Sequence, residues 1–127
     1  MTILNHSLLW VGLGGFLGSV LRFLIGLKLT QSTSGAFPWG TFTVNLVGSL
    51  LIGVLFGLFS HELLSDRGSK LWIVGFCGGF TTFSSFSLDG LRLLQEEQWW
   101  YYGLYSAGSI VIGLLLTFCG WILTRLT

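Results

Sequence analysis

At 127 residues the chain suits one domain. A composition of 52% hydrophobic and 9% charged residues, with a mean hydropathy of +0.80, belongs to a membrane protein rather than a soluble one. The formal net charge of +1 argues against a nucleic-acid partner, because such binding needs many cations to neutralise phosphates.

Four apolar segments each supply the ~20 residues needed to cross a bilayer: Ile3–Leu27, Trp39–Ser60, Leu71–Leu94 and Trp99–Leu123. The first has no Lys or Arg before it and runs on at spanning length, so it is expected to stay as a helix rather than leave as a signal peptide. After the polar loop Thr30–Gly35, Pro38 is expected in the first turn of the second helix. Trp39, Trp72, Trp99, Trp100, Tyr101 and Tyr102 fall near segment ends, as interfacial anchors do. The expected fold is an all-α membrane protein, a single integral domain over residues 1–127. Cys77 and Cys119 lie within apolar segments without a CxxC or a His companion, and are expected to be buried thiols.

Orientation carries information too. Arg67, Lys70 and Arg125 fall on one side, Lys28 and Arg92 on the other, with Arg22 joining them if counted. Lys and Arg asymmetry sets insertion direction, so a chain without it is able to insert both ways. Two opposite copies then pair about an axis in the membrane plane. Gly14 and Gly18, Gly53 and Gly57, and Gly75 and Gly79 have GxxxG spacing, which favours close backbone approach and a tightly packed oligomer.

The third segment carries the stretch Gly78–Ser87, with two glycines, five hydroxyl side chains and three phenylalanines in ten residues. Glycine weakens a helix, and Ser and Thr offer freed backbone groups local partners. The stretch reads as a helix broken within the membrane, which survives only where protein or a wet cavity satisfies it. A continuous helix with a small-residue packing face is the other reading.

Ionisable residues inside a membrane are functional candidates, and here they are scarce. Arg22 alone lies clearly within a segment, where it either snorkels to the interface or draws anions to a vestibule. Glu62, Asp66, Asp89, Glu96 and Glu97 are placed at or beyond helix ends, and no nucleophile and base pair is visible, so an enzyme is not expected. What remains is neutral. Thr41, Asn45, Ser49 and Gly53 share one face of the second helix; Tyr105, Ser109, Gly113 and Thr117 share one face of the fourth. Asn45 serves as interhelical glue or donates its NH2 to a passing anion. Phe76, Phe80 and Phe83 are placed on one helical face, with Phe86 a turn on; such stripes usually pack a core, yet ring edges are electropositive. Hydroxyls, an amide and ring edges without a fixed cation describe a pore for a small anion.

GGFLGSVLRF at Gly14–Phe23, WGTFTVNLVG at Trp39–Gly48 and GFCGGFTTFSSFS at Gly75–Ser87 resemble the Fluc, or CrcB, family of fluoride channels, and the resemblance runs over essentially the whole chain. It implies an antiparallel dual-topology homodimer in the cell's inner (plasma) membrane, with a passive, highly selective fluoride pore that lets cytoplasmic fluoride escape and so confers fluoride resistance. Fluoride enters as HF and dissociates inside, and a negative membrane potential drives the anion out without energy coupling. Matched onto this sequence, Phe83 and Phe86 are the ring pair, Asn45 the pore amide, and Tyr105 with Ser109 the start of a polar track; Arg22 closes the first motif. The resemblance also implies a structural sodium ion at the dimer centre, held by the Gly78 and Thr81 carbonyls of both copies. Ser85 stands where the family commonly has threonine, and Gly113 where a further hydroxyl is expected.

Two other readings compete. A small multidrug exporter shares the four-helix, dual-topology plan but needs a carboxylate in the first helix, and Ile3–Leu27 has none. A non-transporting membrane subunit leaves the polar stripes and the interrupted helix without a purpose.

Overall fold

The computed structural model describes residues 1–126, which form helices and short turns, with no strand among them. Helix α1 spans Thr2–Ser32 and α2 spans Trp39–Ser60. The third segment begins with the helical stretch 66–80, here α3, which is α-helical at Asp66–Ser69, π-helical at Lys70–Cys77 and α-helical again at Gly78–Phe80. Helix α4 follows over Phe83–Gln95 and α5 over Trp99–Leu123. Four spans are long and apolar enough to cross a membrane, the third being Asp66–Gln95 as a whole.

Helix α1 runs past its expected end, and the polar residues read as a loop explain it. The hydroxyls of Thr30, Ser32 and Thr33 donate to the carbonyls of Gly26, Lys28 and Leu29 at 2.8, 2.7 and 2.6 Å. They turn back onto their own helix instead of pairing with loop backbone, so the helix accommodates them. Pro38 stands one residue before α2, at its N-cap rather than in its first turn, and its carbonyl accepts from the Phe42 N–H at 3.1 Å. Glu62 and Glu97 follow α2 and α4 with left-handed φ of 59° and 55°. Leu63 and Gln98 then donate back to Leu58 and Leu93 at 2.9 and 2.8 Å, closing both helices with a C-terminal turn that usually takes glycine.

Helices α1 and α3 run parallel. A Cβ on Gly14 would strike the carbonyl of Leu71, one on Gly18 the carbonyl of Phe76, and one on Gly79 would lie 2.5 Å from the Gly15 carbonyl. Helices α2 and α5 are parallel too, with Gly53 against the backbone of Thr117 and Gly57 against the side chain of Thr124. All three GxxxG spacings are therefore used inside one chain, where small residues let helices approach without a driving force from lipid. These spacings serve packing within the chain and lend no support of their own to an oligomer. Between these pairs, Gly40 on α2 meets Gly26 on α1 with 3.0 Å from the would-be Cβ to the Cα.

Three further expectations change. Asp89 lies in the middle of α4 rather than at a helix end, because the interruption before Phe83 makes α4 a separate helix over Phe83–Gln95, and its side chain is only 15% exposed. Cys77 is buried, whereas Cys119 is exposed on α5. The phenylalanine face is divided: Phe76 and Phe80 stack at 5.5 Å with Phe80 buried, while Phe83 lies beyond the interruption and is 79% exposed.

Candidate functional site

Helical geometry stops at Phe80 and resumes at Phe83. Thr81 has φ −90° and ψ 155°, and Thr82 has φ −153° and ψ 121°, both extended. Two unwound residues free backbone groups that a continuous helix would pair, and each freed group needs a partner. The Thr82 N–H, which would otherwise donate to Gly78, donates instead to Asn45 Oδ1 at 2.9 Å. Asn45 Nδ2 in turn donates to the Thr82 carbonyl at 3.1 Å. One side-chain amide thus copies a strand partner at a single residue. On the other side, Arg22 Nε donates to the Gly79 carbonyl at 2.9 Å. The Thr81 N–H and hydroxyl both donate to Cys77, at 2.9 and 2.7 Å. Thr82 also caps α4, its hydroxyl accepting from the Ser85 N–H at 3.2 Å.

These elements border an open cavity of about 440 Å³. Asn45, Gly78, Thr81, Phe83, Phe86 and Ser109 all border it, so six of the residues singled out from the sequence come together in space. No charged side chain lies on its wall. The Phe83 and Phe86 rings tilt toward each other at 39° with centroids 5.7 Å apart. Ser109 Oγ is shut from solvent and has no hydrogen-bond partner among the described residues. A buried hydroxyl left without a partner carries a desolvation cost of about 1–3 kcal/mol, so the site holds an unmet polar group on a neutral wall.

Tyr105 does not border this cavity. It stands behind Phe86, fully buried, with ring centroids 5.0 Å apart, and its hydroxyl donates to Asp89 Oδ2 at 3.3 Å. Asp89 also lies 3.8 Å from the Arg92 guanidinium, which offsets its charge. Arg22 borders a separate cavity of about 200 Å³ together with Thr41, Thr82 and Ser85, across the extended pair from the larger one. Its Nε is tied to the Gly79 carbonyl, so at least that part of the guanidinium is turned toward the helix interruption. Beyond Ser109 the polar stripe on α5 is committed to packing. The Thr117 hydroxyl donates to the carbonyls of Ser49 and Gly113 at 2.9 and 3.0 Å, and the Ser49 hydroxyl donates to the Asn45 carbonyl at 2.7 Å.

Sequence reasoning missed Asp89 as the partner of Tyr105, and Thr82 as both a cap and the residue Asn45 clamps. The cap had a local signature, a threonine three residues before Ser85. The clamp had none, since Asn45 and Thr82 lie 37 residues apart.

Comparison with known proteins follows the same lines. The family described as "CrcB-like protein, Camphor Resistance (CrcB)" matches residues 9–121. The chain is 45% identical over 120 residues to a Chlorobium luteolum protein named fluoride-specific ion channel FluC, covering 92% of each chain. A protein of the same name from Rhizobium meliloti is 44% identical over 123 residues, covering 96% of this chain and 98% of the relative. The Helicobacter acinonychis protein so named is 39% identical over 124 residues, with the same two coverages.

Proposed function

The chain belongs to the CrcB-like family, and from that membership we propose that it is a passive, selective fluoride channel of a multi-pass membrane protein. The observation that carries the reading is the cavity. Its wall is neutral, with the Phe83 and Phe86 rings, the orphaned Ser109 hydroxyl and the Asn45 amide around it. A hydroxyl hydrogen and electropositive ring edges favour an anion, and without a fixed cation the ion is held weakly enough to leave. Asn45 has given one amide hydrogen to Thr82 and keeps its second for an ion. Arg22, held at the Gly79 carbonyl beside its own cavity, serves as the vestibule charge. Tyr105 acts from behind Phe86, setting that ring's position more than touching the ion.

The same reading places two copies antiparallel in the inner membrane. Phe83, 79% exposed in the single chain, needs a neighbour to shape its side of the path. The Gly78 carbonyl has lost the Thr82 N–H to Asn45, and Gly78 and Thr81 both border the cavity. Backbone carbonyls are hard oxygen donors that suit a sodium ion. Two from each copy would hold a structural sodium where the extended segments meet, neutralising carbonyls the helix leaves free. Fluoride formed inside the cell from entering HF would leave down the membrane potential, giving resistance without energy coupling.

The test is fluoride efflux from liposomes containing Phe86→Ile, which keeps apolar bulk and removes the ring edge. Efflux is expected to fall about tenfold or more, as for the loss of one interaction with a charged ion. Efflux equal to that of the unaltered protein would remove the ring-edge mechanism.

A further inference from the structure

The first turns of α1 and α3 meet at one end of the bundle, and we propose that the cavity between them binds the phosphate headgroup of an anionic membrane lipid. The proposal rests on the membrane-spanning fold and is independent of what the channel conducts. The cavity, about 300 Å³, is bordered by His6 and Trp10 on α1 and by Asp66, Arg67 and Lys70 on α3. His6 and Trp10 are four residues apart, and Arg67 and Lys70 three, so each pair presents one face.

The groups there ask for a particular ligand. Trp10 Nε1 is shut from solvent and has no hydrogen-bond partner among the described residues. An indole N–H only donates, so it needs an acceptor. Lys70 Nζ spends one of its hydrogens on Asp66 Oδ2 at 2.5 Å and keeps two. No hydrogen bond or ion pair of the Arg67 guanidinium occurs among the described residues, and it carries five donors in a planar fork. Two cations face one carboxylate, leaving a single positive charge beside an unmet N–H. A phosphodiester, with one negative charge and several acceptor oxygens, matches both.

Position selects a lipid over a soluble anion. The cavity lies at the ends of two spanning helices, where headgroups are concentrated, and basic pockets between such helices favour anionic headgroups. On the same faces further along, Leu13 and Leu17 of α1 and Val74 of α3 are about half exposed, at 46%, 50% and 57%. They offer an apolar surface on which the acyl chains of the bound lipid lie.

The experiment uses the full chain, purified in a neutral detergent and titrated with phosphatidylglycerol or with phosphatidylcholine of the same acyl chains. Retained lipid is counted by native mass spectrometry. Phosphatidylglycerol is expected to be retained over phosphatidylcholine. Arg67→Gln is expected to lower its retention about fivefold, the worth of one cation near an anionic surface. Trp10→Phe, which keeps an aromatic ring and removes only the N–H, is expected to lower it as well, and circular dichroism confirms that each variant is folded. Equal retention of the two lipids, or unchanged retention in either folded variant, overturns the proposal. Millimolar inorganic phosphate is expected to leave the lipid in place; displacement would assign the cavity to a soluble anion and overturn the lipid.

Discussion

Ser109 offers a prediction with an unusual sign, in which removing a polar group stabilises the protein and harms its function. Its Oγ is shut from solvent with no partner, so Ser109→Ala breaks no hydrogen bond. A buried orphan costs about 1–3 kcal/mol, and the lower end is taken here. The alanine variant is therefore expected to be more stable by about 1 kcal/mol. Thr117→Ala is the control, because that hydroxyl donates to the Ser49 and Gly113 carbonyls at 2.9 and 3.0 Å. Its loss is expected to destabilise by about 1 kcal/mol, typical of hydrogen bonds between membrane helices. Unfolding in mixed micelles of increasing SDS, followed by circular dichroism, reads both. Fluoride efflux by Ser109→Ala is expected to fall about tenfold, since a hydrogen bond to a charged partner is worth about 1.5–3 kcal/mol. If Ser109→Ala destabilised the fold as Thr117→Ala does, the hydroxyl would have a structural partner. Unchanged efflux would take Ser109 off the ion path.

Two other predictions concern the extended pair and the orientation of the chain. Asn45→Ala leaves both the N–H and the carbonyl of Thr82 without their partner and is expected to destabilise by about 2 kcal/mol in the same unfolding assay, with efflux lost; a change within error of zero would show that the clamp carries no weight. Arg67, Lys70 and Arg125 against Lys28 and Arg92, with Arg22 joining them if counted, make no positive-inside bias, so a tag at the C-terminus is expected on both membrane faces in comparable amounts, and one-sided labelling would end the dual-insertion argument.

Local signals made much of this fold legible. Helices α2 and α5 begin and end at the expected residues, because an aromatic residue opens each apolar run and polar residues close it. Helix α1 overran because hydroxyls read as loop formers donate to its terminal carbonyls instead. Among the glycines, spacing revealed that close packing occurs but not with what. Gly14 meets α3 and Gly53 meets α5 because of tertiary register, which no single helix encodes. Gly78–Ser87 announced an irregularity by composition. Its position at Thr81 and Thr82, one residue past Phe80, depends on the amide of Asn45 in another helix. Asp89 was placed at a helix end from position alone, and its partner could not be seen there: Tyr105, on another helix, gives the carboxylate a donor inside the bundle. Spacing alone brought out Asn45, Ser109 and the phenylalanines, and the resemblance added Gly78 and Thr81; the orphan at Ser109 and the contact of Arg22 with Gly79 needed coordinates.

Ion efflux from liposomes containing only the purified chain tests the central claim most directly. A potassium ionophore relieves the opposing potential, and chloride serves as the control anion. The account predicts rapid fluoride release with chloride retained. Retention of both ions by protein verified as folded and inserted would contradict it, and so would release of fluoride and chloride at similar rates.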